Sequence, residues 1–438
     1  KDVFFVDGSA CAPLIVAVAR NKNLSYYCPL HEQAAAMMAD GYYKASRRLP
    51  AVIATSGPGG INLLNGIACS YYDSIPGLYI TGQVNTQFLK PDNSGLRQRG
   101  FQENDIVAMA KPITKDAVMV TRSNDVPRIM KMSHALAITG RPGPVLIDIP
   151  TNIQRIEISS EVSSLPSAVW AVPKKDDSED LEQKALLCRE MLRSASRPAV
   201  LIGGGVWLAN AEEAVRKLLL SLGAPFFVTW NMIDFANDDN PLYGGRVGTF
   251  GGAGRNFGIQ NCDFLLCLGT RISGRITGGM PHTFARAAKK VIVDIDSKQL
   301  AHEEIHCDLA VCADVKDFAE ALSSILAVDP MLIDSRPLCD WRAAVRRWRD
   351  EYPAVRPEYY DYHGINPYVF IKALSEEMNA DDVLVHEAGS NAVVTSQAFE
   401  SKFGQRVFSN HGNSSLGYAL PAAIGAAIAT GRRVICIT

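Results

Sequence analysis

The sequence lacks a charge imbalance. Its 44 Lys and Arg residues stand against 46 Asp and Glu, a formal net charge of −2. That leaves no basic footprint for nucleic acid. It also lacks a membrane span, which needs about 20 consecutive apolar residues. The longest small-apolar stretch, residues 416–431, falls short and contains Pro421 and several glycines. The opening Lys1–Val6 has neither the long apolar segment nor the cleavage site of a secretory leader. The expected location is therefore cytoplasmic. Cysteine is not scarce, but metal-ligand spacing is. Cys262/Cys267 and Cys307/Cys312 share a C-x4-C spacing, with no histidines at finger-like distance. Buried, reduced thiols are the expectation.

What is present is a globular composition, 47% hydrophobic and 21% charged, on a chain long enough for two or three domains. Strand-like runs alternate with helical patterns. In the first part they fall at 3–6, 24–28, 51–55, 78–81 and 145–149, with helices expected over 13–20, 32–46 and from about residue 60. Such alternation signals a parallel sheet covered on both faces. Further runs begin at Pro198, Pro225, Phe264, Val291 and Leu309, the spacing of βαβ units. A third unit starts near Val383 and reaches the apolar stretch Val434–Thr438. The predicted architecture is α/β, with three doubly wound parallel-sheet domains, the third truncated. Residues 1–160 form the first, 161–185 a Pro/Ser/Asp-rich linker and 186–330 the second. Residues 331–362 form a charged helix plus linker, and 363–438 the start of the third.

Three glycine-rich stretches stand between strand and helix signals. Ser56-Gly57-Pro58-Gly59-Gly60 reads alone as a tight strand-to-helix turn, a place that also favours anions. Gly203-Gly204-Gly205 lacks the G-x-G-x-x-G dinucleotide fingerprint. Glu387-Ala388-Gly389-Ser390-Asn391 could cradle a phosphate. His31-Glu32-Gln33 precedes an apolar helix, where a glutamate alone reads as a dipole partner.

The joint pattern says more. Cys28-Pro-Leu-His-Glu-Gln-Ala-Ala35 leads to Gly41-Tyr42 and then Ala54-Thr-Ser-Gly-Pro-Gly59. Asp73-Ser-Ile-Pro76, Ile80-Thr-Gly-Gln-Val84, Phe101-Gln-Glu103, Lys111-Pro-Ile-Thr-Lys115, Thr139-Gly-Arg-Pro-Gly-Pro-Val145 and Asp148-Ile-Pro150 follow. Asp294-Ile-Asp-Ser297 and Leu420-Pro-Ala-Ala-Ile-Gly425 complete the set. In order and spacing the chain resembles the large catalytic subunit of acetolactate synthase and its thiamine-diphosphate-dependent relatives, over nearly its whole length.

The resemblance implies a set of roles. Glu32 would share a proton with N1′ of the aminopyrimidine of thiamine diphosphate, helping to activate the thiazolium carbon. The cofactor would then act as electron sink while the protein orients it and keeps the site dry. Gly8, Phe101 and Gln102 would approach the reacting centre. Pro58 and Asn62 would join Glu32 in binding the cofactor. Gly389, Ser390 and Asn391 would contact its diphosphate. Ser414 would offer its carbonyl to the 4′-amino group, and Leu416 would prop the cofactor into a bent shape. Mg2+ is implied, held by a Gly-Asp-Gly block following a strand like Val434–Thr438. No metal ligand is therefore assigned within this chain, and the 438 residues alone are expected not to bind Mg2+–thiamine diphosphate tightly.

For the central domain the resemblance implies FAD in a structural role. It would lie at Arg141, Gly204, Thr229, Trp230, Gly248, Gly269, Arg271, Arg275, Asp294, Asp314 and Val315. Arg271 and Arg275 suit a diphosphate, and the glycines permit close backbone approach. Arg271-Ile-Ser-Gly-Arg275 lacks the acidic pair usual there, and Thr151 replaces a family lysine.

The implied reaction is decarboxylation of a 2-keto acid, pyruvate first, and transfer of the two-carbon unit to an acceptor. A homodimer or homotetramer with its site at the subunit interface is implied. Ser94–Gln102 and Trp230–Thr249 depart from the usual loops. They resemble enzymes that transfer an acetyl unit to a keto-sugar nucleotide, with Arg97 and Arg99 as candidate anion contacts. A non-catalytic nucleotide-binding scaffold is the reading from another class, and Glu32 argues against it.

Overall fold

In a computed structural model of the protein, residues 1–91, 93–158, 178–302, 304–330 and 335–438 are described. Three sheets form, and every strand pairing whose register is described is parallel. The first sheet contains β1 (Asp2–Phe5), β2 (Ser25–Tyr27), β3 (Ala51–Ala54), β4 (Gly77–Gln83), β5 (Asp116–Met119) and β6 (Pro144–Pro150). Their spatial order is β2-β1-β3-β4-β6-β5. The second contains β7 (Pro198–Ile202), β8 (Phe226–Val228), β9 (Tyr243–Arg246), β10 (Phe264–Leu268), β11 (Lys289–Asp294) and β12 (Leu309–Cys312), in the order β12-β11-β10-β7-β8-β9. The third is small: β13 (Val383–His386), β14 (Arg406–Phe408) and β15 (Val434–Ile437), with β13 central. The α/β class expected from the sequence is the one observed.

The central strands are apolar along their whole length because both faces are covered. Every residue of β6, β7 and β10 is buried, the signature of a parallel sheet between helical layers. Three of the edge strands are different. β5, β9 and β14 carry no long apolar run, and the sequence pattern does not mark them as strands. The segment read as a linker up to residue 185 lies largely outside the described residues, and from Ser178 it is already helix, Ser178–Arg193. The charged 331–362 segment contains the expected helix, Arg336–Glu351, while residues 331–334 lie outside the described residues.

Contacts divide the described residues into two compact units. The first takes those within 1–172, 383–389 and 408–438; the second takes those within 173–382 and 390–407. In the first unit the Glu32–Ser46 helix packs against the Ala419–Thr430 helix. The fit depends on two glycines. A Cβ on Gly425 would lie 1.9 Å from the Met38 carbonyl oxygen, and one on Gly41 would lie 2.2 Å from that of Ala422. The two backbones touch, so neither position tolerates a side chain. Gly425→Val should lower stability by about 1–3 kcal/mol or more through overpacking. Gly274→Ala, where a Cβ meets open space, should stay within about 0.5 kcal/mol. Urea titration of both variants checks this; equal midpoints would contradict the close-contact account.

Candidate active site

The His31–Gly60 region of the first unit explains how a carboxylate becomes fixed. His31 is extended and caps the helix, its Nδ1 accepting from Gln33 N at 3.1 Å. This starts the helix at Glu32 and directs that side chain inward, where it is only 8% exposed. Asn62, one turn into the Pro58–Tyr72 helix, donates from Nδ2 to Glu32 Oε2 at 2.9 Å. A Cβ on Gly59 would lie 3.2 Å from Glu32 Oε1. Pro58 begins that helix, so its missing N–H costs nothing there.

Thr55 links Gly8 to this group. A Cβ on Gly8 would collide with Thr55 at 2.4 Å, and one on Gly59 would lie 2.8 Å from Thr55 Cγ2. Ala10 N donates to Thr55 Oγ1 at 3.3 Å. Gly57 has φ +64°, and a Cβ there would sit 2.8 Å from Gln102. Gln102 itself has φ +61°, the left-handed region that non-glycine residues seldom enter. Such strain persists only when neighbours impose it, and it gathers at functional sites. The adjacent Phe101 is 84% exposed, so it does not serve a local core. Gly8, Glu32, Pro58, Asn62 and Gln102 thus surround one turn.

Apart from Asn104, the side chains that hold this turn stand within the quoted sequence blocks, yet the sequence pattern alone assigns them no role. Buried Glu103 accepts backbone N–H bonds from Lys90 (2.6 Å), Arg99 (2.8 Å) and Gly100 (3.1 Å). Burial works against its charge, but those donors and Lys90 outweigh it and hold the carboxyl below its usual range. Asn104 donates to Gly57 O at 2.9 Å. Gln83 Nε2 donates to Asn104 O (2.9 Å) and to Asp148 Oδ2 (3.0 Å), and Thr81 donates to Asp148 Oδ1 (2.8 Å). A chain of hydrogen bonds therefore runs from Asp148 to the Gly57 turn.

Burial pushes Asp148 up to about 7, against the lowering effect of Thr81 and Gln83, with Asp105 adding to the rise. The folded value exceeds the unfolded value of 3.8, so the folded protein holds this proton more tightly. The associated stability is present at low pH and is lost as pH rises toward and through about 7. Asp148→Asn fits the site if the Thr81 hydroxyl turns to accept. The variant should gain on wild type between pH 5 and pH 8 by a few kcal/mol, since each tenfold change in proton affinity is worth about 1.4 kcal/mol. Urea midpoints at several pH values test it, and a pH-independent difference would rule it out.

The C-terminal portion of the first unit presents a second group. Ser414 has φ +58° and Gly417 φ +79°, and Leu416 between them is 74% exposed. Asn410 Oδ1 accepts from Asn413 N (3.2 Å) and Ser414 N (3.3 Å). Ser415 Oγ and Asn413 Nδ2 bond Asn65 Oδ1 at 2.7 and 2.9 Å. Asn65 lies one turn beyond Asn62 on the same helix. Gly389 has φ +72°, with open space where a Cβ would stand; Ser390 and Asn391 open the next helix and are counted with the second unit. Glu387, read with this stretch, is buried and accepts from Ala388 N (2.9 Å) and Ala419 N (3.1 Å). It therefore serves the start of the Ala419–Thr430 helix.

Most of the residues expected to hold a flavin lie in the second unit, at the carboxyl ends of its strands. The strand order reverses between β7 and β10, the place where open α/β sheets bind ligands. There the backbones meet: a Cβ on Gly205 would lie 2.7 Å from Gly269 Cα, and Gly269 has φ +56°. Gly204 opens the short Gly205–Leu208 helix. Thr229 N bonds Ile202 O at 2.9 Å. The Arg275 guanidinium lies over the Trp230 ring, 5.7 Å from its centroid. A Cβ on Gly248 would meet Arg275 O at 2.7 Å, and Arg271 is exposed. Asp294 accepts from Asp296 N, and Asp314 caps the helix that begins at Val315. Arg141 lies in the first unit and donates to Ser74 Oγ at 2.9 Å.

One cysteine joins the group around Ser414 and Leu416: Cys69 Sγ accepts from Asn410 Nδ2 at 2.7 Å. All ten cysteines are free. Burial pushes Cys11 up to about 11 and Cys188 up to about 12, so neither is a thiolate at neutral pH. No helix among the described residues is long and apolar enough to cross a membrane.

Comparison with known proteins gives consistent results. The family described as thiamine pyrophosphate enzyme, N-terminal TPP binding domain, matches residues 1–109. The corresponding central domain matches 187–322, and the C-terminal TPP binding domain matches 387–438. The chain is 32% identical over 444 residues to the acetolactate synthase isozyme 2 large subunit of Escherichia coli, covering 100% of this chain and 74% of that protein. It is 30% identical to a probable acetolactate synthase large subunit of Methanococcus aeolicus, covering 100% and 73%. It is 32% identical to acetolactate synthase 1, chloroplastic, of Zea mays, covering 98% and 65%.

Proposed function

Because the chain belongs to the thiamine-diphosphate-dependent enzymes of the acetolactate synthase large-subunit type, which decarboxylate pyruvate and ligate the two-carbon unit, we propose that Glu32 is the proton carrier of that reaction. The observation that carries this reading is a buried carboxylate with one oxygen fixed by Asn62. Its other oxygen faces the Gly59 turn, where any side chain would crowd it. Thiamine diphosphate, when bound, supplies the electron sink for loss of CO2 from a 2-keto acid.

The chain's own residues do the rest. Glu32 holds and returns a proton at the pyrimidine edge of the cofactor. Asn62 fixes its rotamer. Gly8 and Gly59 leave the space beside Thr55 clear. Gln102 and the exposed Phe101 face the substrate side and limit water there. Gly389, Ser390 and Asn391 bind the diphosphate, with Mg2+ completing its charge balance. Ser414 and the exposed Leu416 orient the cofactor. Two apolar side chains standing in solvent, Phe101 and Leu416, favour a site completed by a second copy of the chain.

FAD fits the second unit, where Arg271, Arg275 and the Gly204 and Gly269 turns would receive its diphosphate at the strand-order reversal. Its role there is structural. Arg99 donates to Leu89 O, so it braces its own loop. The acetolactate synthase relatives favour a simple 2-keto acid as acceptor over a sugar nucleotide. Pyruvate alone should yield acetolactate with the complete enzyme. Product appearing only when a keto-sugar nucleotide is supplied would favour the other acceptor.

A further inference from the structure

We propose that the second unit contains a buried site for a small monoanion, built from Tyr243, Arg246 and Arg255 beneath the edge strand β9. None of these residues is among those proposed for thiamine diphosphate or flavin. The strand is bulged: Phe226 pairs with Tyr243 but Phe227 pairs with Gly245, leaving Gly244 as an extra residue. Bulges re-aim side chains, often beside functional sites. Gly245 has φ +103°, and a Cβ there would lie 2.5 Å from Arg255 Nε. A Cβ on Gly252 would lie 2.2 Å from Arg255 Nη1. The guanidinium therefore occupies room that two glycines leave, folded back over the N-terminus of its own helix, Ala253–Asn261.

The cluster has too many donors. Arg246 and Arg255 are 3% and 8% exposed. Arg246 Nη2 donates to Asp238 Oδ2 at 3.1 Å, and the same oxygen accepts from Ser401 N at 3.3 Å. Arg246 Nε, Arg255 Nε, Arg255 Nη1 and the Tyr243 hydroxyl are buried and unpartnered. The Tyr243 hydroxyl feels Arg246, Asp238, Arg255 and Arg349 together. Arg349 consumes further acceptors, donating to the carbonyls of Asp238 (3.0 Å) and Tyr243 (3.1 Å). Burial first, and then Arg246, work against the charge on Arg255. Glu400 also acts on Arg246, but its carboxylate bonds Lys372 and is half exposed.

Arg349 pairs with Asp350, so the two buried guanidinium groups of Arg246 and Arg255 are left with the one carboxylate of Asp238, a surplus of one positive charge. A buried charge left without a partner is strongly destabilising. An acceptor with one negative charge satisfies both the charge and the free N–H and O–H groups. Because the donors are closed to solvent, the ligand class is a halide or similarly small monoanion rather than a nucleotide.

The test compares the complete enzyme in sodium chloride and in sodium gluconate at equal ionic strength, following thermal unfolding. Wild type should show a saturable rise in Tm with chloride, and Arg255→Leu should not. Should Arg255→Leu fail to fold, Tyr243→Phe removes one donor and should weaken the apparent chloride affinity roughly threefold to tenfold. Crystals grown in bromide should place an anomalous scatterer against Arg246 and Arg255. Identical chloride dependence in wild type and either variant, or bromide bound only at the exposed surface, would overturn the proposal.

Discussion

Glu32→Gln should lower turnover by about 10²- to 10⁴-fold, the usual range for loss of a positioned proton carrier. The glutamine amide oxygen can still accept from Asn62, so the side chain keeps its position. What is lost is the ability to share a proton. The fold should be unaffected, and urea midpoints should agree within about 0.5 kcal/mol. Asn62→Ala should have a smaller effect on turnover, because it frees the carboxylate without removing it. Steady-state kinetics of the three proteins with pyruvate checks the order. Equal turnover for wild type and Glu32→Gln would remove Glu32 from the mechanism.

The second large effect is on stability, at Lys44. Its ammonium group is buried in the first unit and reaches Asp40 (2.9 Å), Asp73 (2.8 Å) and the Ser409 carbonyl (2.9 Å). Burial alone would lower its proton affinity, but the two carboxylates more than reverse that. It is therefore charged throughout the neutral range. The carboxylates are satisfied in turn. Tyr418 donates to Asp40 at 2.5 Å, Ser70 to Asp40 at 2.9 Å and Gly412 N to Asp73 at 2.8 Å. This network ties the first sheet's helices to the segment that carries Ser414 and Leu416.

Lys44→Met keeps the length of the side chain but leaves two buried carboxylates uncompensated. Loss of one partner of a buried pair costs about 3–5 kcal/mol. Lys44→Met combined with Asp73→Asn should recover part of the loss. Urea denaturation of the single and double variants measures this. No recovery in the double variant would show that packing, not charge, is what Lys44 supplies.

The central strands were legible in the sequence because burial on both faces makes them continuously apolar, as in β6, β7 and β10. The edge strands β5, β9 and β14 were not, because an edge strand needs no such run, whereas β2, β12 and β15 carried enough apolar residues to be read. β9 carries two glycines whose use is the bulge, a feature only the pairing reveals. Glu32 alone reads as a helix partner, and the surrounding blocks give it a chemical role. Its support is not readable. The contacts Asn62–Glu32, Asn104–Gly57 and Tyr418–Asp40 join residues 30, 47 and 378 positions apart. Asp148 looks like one more residue of a strand, and its hydrogen-bond chain to the active-site turn appears only once β4 and β6 lie side by side. Gly41 and Gly425 fall within helical patterns, with nothing local to mark them as the point where two backbones meet.

Exchange of the thiamine diphosphate C2 proton into deuterated water, followed by NMR in the complete enzyme and its Glu32→Gln variant, tests the role of Glu32 most directly. The account predicts exchange slowed by at least about 10²-fold in the variant, with cofactor still bound. Exchange at the wild-type rate would contradict it.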